Sequence, residues 1–215
     1  MPRDALLYEA LLWEPSGGFF LLDRHLDRLA ASARYFNYPV DIGATRAQLL
    51  DYAADLGDRP RKVRLEASAE GEVVLEDEDV KPSTPVQIAL ASQPIDSSDT
   101  FLCHKTSRRE VYDQALARHP GAQDVLLWNE RRELTETCNA NVVLDLDGQR
   151  VTPALASGLL PGTYRAHLLE IGEIEERVLP LDWLWRASGL FLINSVRRWS
   201  EGRLVDQADC FNPSD

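Results

Sequence analysis

The sequence predicts a mixed α/β protein in two domains, a smaller α/β domain over residues 1–94 and a larger one over residues 95–215. Three observations carry that expectation. Paired apolar runs with strand character stand near the start, an amphipathic stretch follows directly behind them, and a turn-rich segment near residue 94 is followed by alternating short strands and helices. At 215 residues, with 44% hydrophobic and 27% charged residues, the chain has the profile of a globular protein with a substantial core.

The elements follow in order. Residues 5–13 form an apolar run broken only by Glu9, and after Glu14-Pro15-Ser16-Gly17-Gly18 comes a second run over 19–22, so two strands joined by a tight turn are expected. From Asp23 onward Leu26, Leu29, Ala30, Ala33 and Phe36 recur at three- and four-residue spacing with Arg24, Asp27, Arg28 and Arg34 between them, which predicts an amphipathic helix ending near Pro39. A second helix is expected over 45–56, and a hairpin of strands 62–67 and 72–75 around Glu70-Gly71. After a strand at 86–91, the segment Gln93-Pro94-Ile95-Asp96-Ser97-Ser98-Asp99 is rich in turn formers and marks the domain boundary. Beyond it the pattern predicts helices at 108–118 and 165–172 and strands at 124–128, 142–145, 150–152 and 190–194, with residues 134–141 as a polar turn between two strands.

Charge and composition narrow the function. A net charge of −12 and a pI near 4.8 argue against a nucleic-acid partner, which is held mainly by clustered Lys and Arg. No apolar run approaches the roughly 18 residues of a membrane span, and Met1-Pro2-Arg3-Asp4 lacks the charged-then-apolar pattern of a signal peptide, so a cytoplasmic protein without a membrane partner is expected. Cys103, Cys138 and Cys210 are odd in number and show no CxxC spacing; reduced thiols and no metal site are the expectation.

Several residues could carry chemistry. Lys105 follows the apolar Phe101-Leu102-Cys103-His104, where partial burial would turn a lysine from a solvated surface group into a nucleophilic amine. Glu136 lies in Leu134-Thr135-Glu136-Thr137-Cys138-Asn139-Ala140-Asn141, either an ordinary loop acid or a carboxylate facing a cofactor ring. Arg28 is by itself a surface arginine with an acidic neighbour. Ser157 to Arg165 contains a Gly-bearing turn feeding a helix start, a geometry that presents backbone N–H groups to an anion.

Taken in order, His25-Leu26-Asp27-Arg28-Leu29, Lys105-Thr106, Leu134-Thr135-Glu136, Asn141 and Gly158-Leu159-Leu160-Pro161-Gly162 resemble the motif series of the class IV pyridoxal-phosphate enzymes, the family of branched-chain and D-amino-acid aminotransferases and 4-amino-4-deoxychorismate lyases. The resemblance runs from about residue 6 to 204. It is strongest toward the lyase-like domain fused to aminodeoxychorismate synthase component I, through Phe20-Leu21-Leu22-Asp23, His104-Lys105-Thr106 with Arg108-Arg109, and Leu192-Ile193-Asn194-Ser195-Val196-Arg197.

The resemblance implies a two-domain fold-type IV enzyme with pyridoxal 5'-phosphate in the interdomain cleft. Lys105 matches the catalytic lysine that holds the cofactor and moves protons, and Glu136 the acid on the pyridine nitrogen. Arg28, the turn Gly162, Thr163 and Tyr164, and Ser195 match the phosphate site. Asn194, Arg197 and Arg109 fall on the substrate side, where an arginine can pair with a carboxylate in bidentate fashion. The implied function is lysis of 4-amino-4-deoxychorismate to 4-aminobenzoate and pyruvate, a step of folate precursor synthesis, by a homodimer acting on a small-molecule substrate. Two other readings stay open: transamination of branched-chain or D-amino acids, and a non-catalytic partner associated with aminodeoxychorismate synthase. The last is motivated by Ala10, which stands where the family commonly has a hydroxyl residue.

Overall fold

The computed structural model describes residues 5–205. The chain divides into two compact units. The first holds the residues up to Pro82 together with two short segments from later in the chain, His104–Arg108 and Ser195–Arg197; the second holds Ser83–Cys103, Arg109–Asn194 and the residues from Arg198 on.

The first unit is a four-stranded antiparallel sheet with two helices on one face. Its strands are β1 (Leu7–Glu14), β2 (Gly18–Phe19), β3 (Arg61–Ala67) and β4 (Val73–Asp79), in the order β2-β1-β3-β4. In β1 the period-two alternation directs Leu7, Leu11 and Trp13 to the face that packs on α1 (Leu22–Phe36) and α2 (Ile42–Tyr52), where they meet Leu26, Leu29, Ala33, Leu49, Val63 and Leu65. Glu9 lies on this same buried face. Helix α1 ends at Asn37, whose left-handed backbone (φ 58) turns the chain so that Tyr38 N reaches Ala33 O at 2.8 Å. Asp41 caps α2 by accepting a bond from Ala44 N at 2.9 Å.

The second unit is built on an eight-stranded sheet. Its strands are β5 (Val86–Leu90), β6 (Asp124–Trp128), β7 (Leu134–Thr137), β8 (Asn141–Leu146), β9 (Gln149–Pro153), β10 (Glu175–Arg177), β11 (Gly189–Asn194) and β12 (Arg198–Leu204). The order is β10-β9-β8-β11-β12-β5-β6-β7, and β7 also pairs with β8 through Glu136 and Asn141, which closes six strands into a ring. After Asp124, strand β6 is apolar at every position because both its faces are covered: Leu126 joins Ile88, Leu134 and Val142 on one side, while Val125 and Leu127 pack with Ala115 of α3 (Glu110–Arg118) on the other. Helix α4 (Thr163–Glu170) completes the unit.

Several expectations are corrected. The strand at 86–90 does not belong with the first unit, because β5 pairs in parallel with β12 and β6. The second run, 19–22, yields only a two-residue strand; Leu21 turns the chain with φ 55 and α1 begins at Leu22. The second helix starts earlier, at the Asp41 cap, and gives way to a 3-10 turn over Ala53–Asp55. Residues 134–137 form strand β7, wholly buried, where a polar turn was expected, and β10 and β12 lie in stretches too polar to announce themselves. Cys103 and Cys138 are free thiols, and Cys210 lies outside the described residues. Among the described residues no helix is long and apolar enough to cross a membrane.

Candidate active site

Lys105 is carried by the short segment that joins the first unit beside the start of β1. Tyr8 N donates to Lys105 O at 3.0 Å, Ser107 N to Leu6 O at 2.9 Å, and Leu6 N to Ser107 Oγ at 2.9 Å, so the lysine backbone is fixed on both sides as an added piece of antiparallel pairing. Its side chain is half-buried, with Nζ 4.5 Å from the centroid of the Tyr8 ring. An aromatic neighbour and partial loss of water are the surroundings in which a lysine amine becomes a nucleophile.

Arg28, on α1, forms a two-pronged bond with Glu9: Nε donates to Oε1 at 2.8 Å and Nη2 to Oε2 at 2.5 Å. His25, one turn earlier on the same helix, bonds Glu9 Oε2 through Nδ1 at 2.7 Å. Burial opposes the charged form of Glu9, which is only 1% exposed. The Arg28 guanidinium together with hydrogen bonds from Arg28 and His25 outweighs that cost and holds the carboxyl at about 2. Ser195 is buried in this unit with its hydroxyl donating to Ala10 O at 3.2 Å, and Arg197 is exposed.

In the second unit Glu136 stands on β7 with 4% of its surface exposed. Tyr112 Oη donates to its Oε1 at 2.8 Å, Leu160 N to Oε1 at 3.2 Å and Asn141 Nδ2 to Oε2 at 3.2 Å. Arg109 lies behind this set. Its Nη2 donates to Cys138 O at 2.7 Å and to Asn139 Oδ1 at 3.3 Å, and its guanidinium lies 4.8 Å from the Tyr112 ring centroid, so it braces the turn after β7. Asp124 braces the same turn by accepting bonds from Thr137 Oγ1 and Cys138 N, although burial pushes its own carboxyl above the usual range.

The turn into α4 is tied to the same acid. Asn141 Nδ2, besides reaching Glu136, donates to Leu160 O at 2.9 Å, and a Cβ placed on Gly162 would collide with Asn141 Oδ1. Glycine is therefore required at the N-cap of α4 by close approach. Gly158 precedes it with φ 88, a conformation where a side chain would also strike the backbone at Ser97. Thr163 and Tyr164 are buried in the first turn of α4. Arg165 follows, 2% exposed; it bonds Pro153 O and Glu176 while its Nε has no hydrogen-bond partner. Asn194, half-buried, ends β11 opposite Arg198.

The structure thus gathers Lys105, Arg28, Ser195 and Arg197 in the first unit, and Glu136, Gly162, Thr163, Tyr164, Arg109 and Asn194 in the second. Each unit, taken by itself, holds groups of kinds that pyridoxal 5'-phosphate calls for. In the first unit a half-buried amine suits an aldehyde and the Arg28 guanidinium a phosphate; in the second a buried carboxylate suits a protonated ring nitrogen and a glycine-bearing helix start a phosphate. Sequence reasoning missed four residues of this setting: Glu9, His25, Tyr8 and Tyr112. A signal existed for Glu9, since it is a charged residue interrupting an apolar strand in the buried phase, and such a residue needs a partner.

Comparison with known proteins identifies the family. The family described as amino-transferase class IV matches residues 6–204. A Schizosaccharomyces pombe protein provisionally named an aminodeoxychorismate lyase is 33% identical over 96% of this chain and 93% of its own length. A solved Mesorhizobium loti structure, provisionally named an amino-acid aminotransferase, shares 36% identity with a TM-score of 0.87 over 94% of this chain and 100% of that one. The Escherichia coli branched-chain amino acid aminotransferase shares the fold at a TM-score of 0.80 and 18% identity, over 96% of this chain and 78% of that one. With a family match along nearly its whole described length, on a mixed α/β fold of the same kind, this chain belongs to the class IV aminotransferase family, whose members in general depend on pyridoxal phosphate.

Proposed function

We propose that this chain is a pyridoxal-phosphate-dependent lyase converting 4-amino-4-deoxychorismate to 4-aminobenzoate and pyruvate, active in the cytoplasm as a homodimer. The observation that carries the choice of lyase is the 33% identity to the S. pombe protein along 96% of the chain. The cofactor, when bound, supplies an electron sink for the pair released on deprotonation. Around it the chain's own groups divide the work. The Lys105 amine anchors the aldehyde end and accepts the proton from the amine-bearing ring carbon of the substrate. Glu136 holds the proton on the pyridine nitrogen. Arg28, Ser195 and the Gly162–Tyr164 turn bind the phosphate, and Arg197 with Asn194 orients a substrate carboxylate. Loss of the enolpyruvyl side chain leaves an aromatic product, which drives the step.

The M. loti neighbour, 36% identical and matched over its entire length, favours transamination as the second reading. Two assays on one preparation separate them. Release of pyruvate and 4-aminobenzoate from aminodeoxychorismate is the expected result, and keto-acid formation from amino acids without that release would replace lyase by aminotransferase. Borohydride treatment of the protein with cofactor should fix it on the peptide spanning residues 103–108, with the added mass on Lys105. Lys105→Ala should abolish that fixation and lower turnover by about a thousandfold or more, since one amine serves as anchor and base. Full turnover in that variant would remove Lys105 from the chemistry, whereas a parent protein that binds the cofactor and turns over neither substrate would leave the non-catalytic partner of an aminodeoxychorismate synthase.

A further inference from the structure

His104, the residue before Lys105, is seated in a socket on α1. Its Nδ1 is hydrogen-bonded to Ser32 Oγ at 3.0 Å, its ring lies against Tyr35 at 4.4 Å between centroids with 32° between planes, and Phe36 meets it edge-on at 4.9 Å. Ser32 is 4% exposed. The socket lies on a particular stripe of the helix: Arg28, Ser32 and Tyr35 are spaced i, i+4 and i+7, so they share one face. The side chain next to the candidate amine thus grips the helical stripe that carries the candidate phosphate arginine. Arg28 is itself locked from below by Glu9 on β1, the strand that also bonds the Lys105 backbone.

From this arrangement we propose that His104 is a positioning residue that sets the register between Lys105 and Arg28, and so lets one cofactor molecule engage both at once. The proposal rests on the reading of Lys105 and Arg28 as cofactor anchors. Two anchors on one rigid frame raise affinity because the second contact forms at high effective concentration, and that gain is lost when their spacing is wrong, even if each anchor still works alone. Burial among the two rings pushes the imidazole below its ordinary range, which suits a neutral wedge whose part is geometric.

The test compares three ligands that use different anchors: pyridoxal 5'-phosphate engages both, pyridoxal lacks the phosphate, and pyridoxamine 5'-phosphate lacks the aldehyde. His104→Leu keeps bulk and removes the polar atom; His104→Asn restores a polar atom near the position of Nδ1. His104→Leu is expected to weaken pyridoxal 5'-phosphate binding by about tenfold while leaving the other two ligands within about twofold, and His104→Asn to recover most of the loss. Ser32→Ala should resemble His104→Leu. An equal loss for all three ligands would make His104 a general packing residue, and no loss for any would remove it from the site; either outcome overturns the proposal. Failure of the underlying reading looks different, because Lys105→Ala and Arg28→Lys would then each leave pyridoxal 5'-phosphate affinity at the parent value, and the register proposal would fall with them.

Discussion

Glu9 in the first unit and Glu136 in the second are both strand carboxylates with almost no exposed surface, 1% and 4%, yet they are satisfied by partners of different kinds. Glu9 takes its bonds from a guanidinium fork and an imidazole, and its charge is matched where it sits. Glu136 takes bonds from a phenol, an amide side chain and a backbone N–H, neutral donors that fix its direction. A carboxylate balanced by cations is part of a frame; one held by neutral donors is suited to take a cationic group from a ligand. Glu9 accordingly organises the helix face that bears Arg28, while under the proposed function Glu136 is the group offered to a pyridinium nitrogen.

The largest test of that contrast is Arg28→Ala. The variant strips Glu9 of its principal counter-charge inside the unit, and breaking a buried pair on one side typically costs about 3–5 kcal/mol. Arg28 therefore serves folding as well as any phosphate, and the midpoint of urea unfolding should fall sharply even without cofactor. Adding Glu9→Gln to Arg28→Ala should return part of the loss, because the orphaned charge is gone. An unchanged midpoint for Arg28→Ala would show that the Glu9 site tolerates an unpaired charge, and the distinction between the two carboxylates would collapse.

Acid is the next lever. The Glu9 carboxyl is held at about 2 in the folded protein against an ordinary value of 4.5. The unfolded chain binds the proton first, so stability from this group is fully present above about pH 4.5 and is lost progressively as pH falls from there toward 2. The shift corresponds to about 3 kcal/mol. Denaturation midpoints of the parent should decline over this window more steeply than those of Glu9→Gln, which has no such proton to take up. Parallel acid profiles would mean that Glu9 is not held as a charge.

The fold was legible where one physical signal dominated. Strand β1, helix α1 and the β3–β4 hairpin have clean periodicity, and they were anticipated to within a few residues. Strands β10 and β12 were not, because Glu175–Arg177 and Arg198–Leu204 are polar stretches paired through their backbones, and side-chain pattern carries no trace of that. Strand β7 was hidden for a related reason. Leu134-Thr135-Glu136-Thr137 has the composition of a loop, and its burial comes from β6 on one side and β8 on the other. The candidate site was legible as motif order, which names Lys105, Arg28 and Glu136 as the candidates. What holds these groups, His104 on Ser32, Glu9 beneath Arg28 and Tyr112 on Glu136, depends on contacts between residues 19 to 72 positions apart, which no local pattern encodes.

The finest probe of the comparison is Tyr112→Phe. Helix α3 carries Tyr112 so that its hydroxyl meets Glu136 Oε1 at 2.8 Å, while its ring lies under the Arg109 guanidinium. Phenylalanine keeps the ring and that contact and deletes only the donor. Glu136 then retains the bonds from Asn141 and Leu160 N, which both come from the β8 and α4 side, and loses the one that comes from α3. A carboxylate with freedom to swing holds a proton on the ring nitrogen less well, so kcat should fall by about tenfold, the worth of one hydrogen bond to a charged group in a partly buried setting. Cofactor affinity and the unfolding midpoint should stay close to the parent, since neither the phosphate groups nor the Glu9 frame is touched. The visible absorption of the bound cofactor, which reports the protonation of its ring, should change along with kcat. If both stay at the parent values, Glu136 needs no directional support from α3.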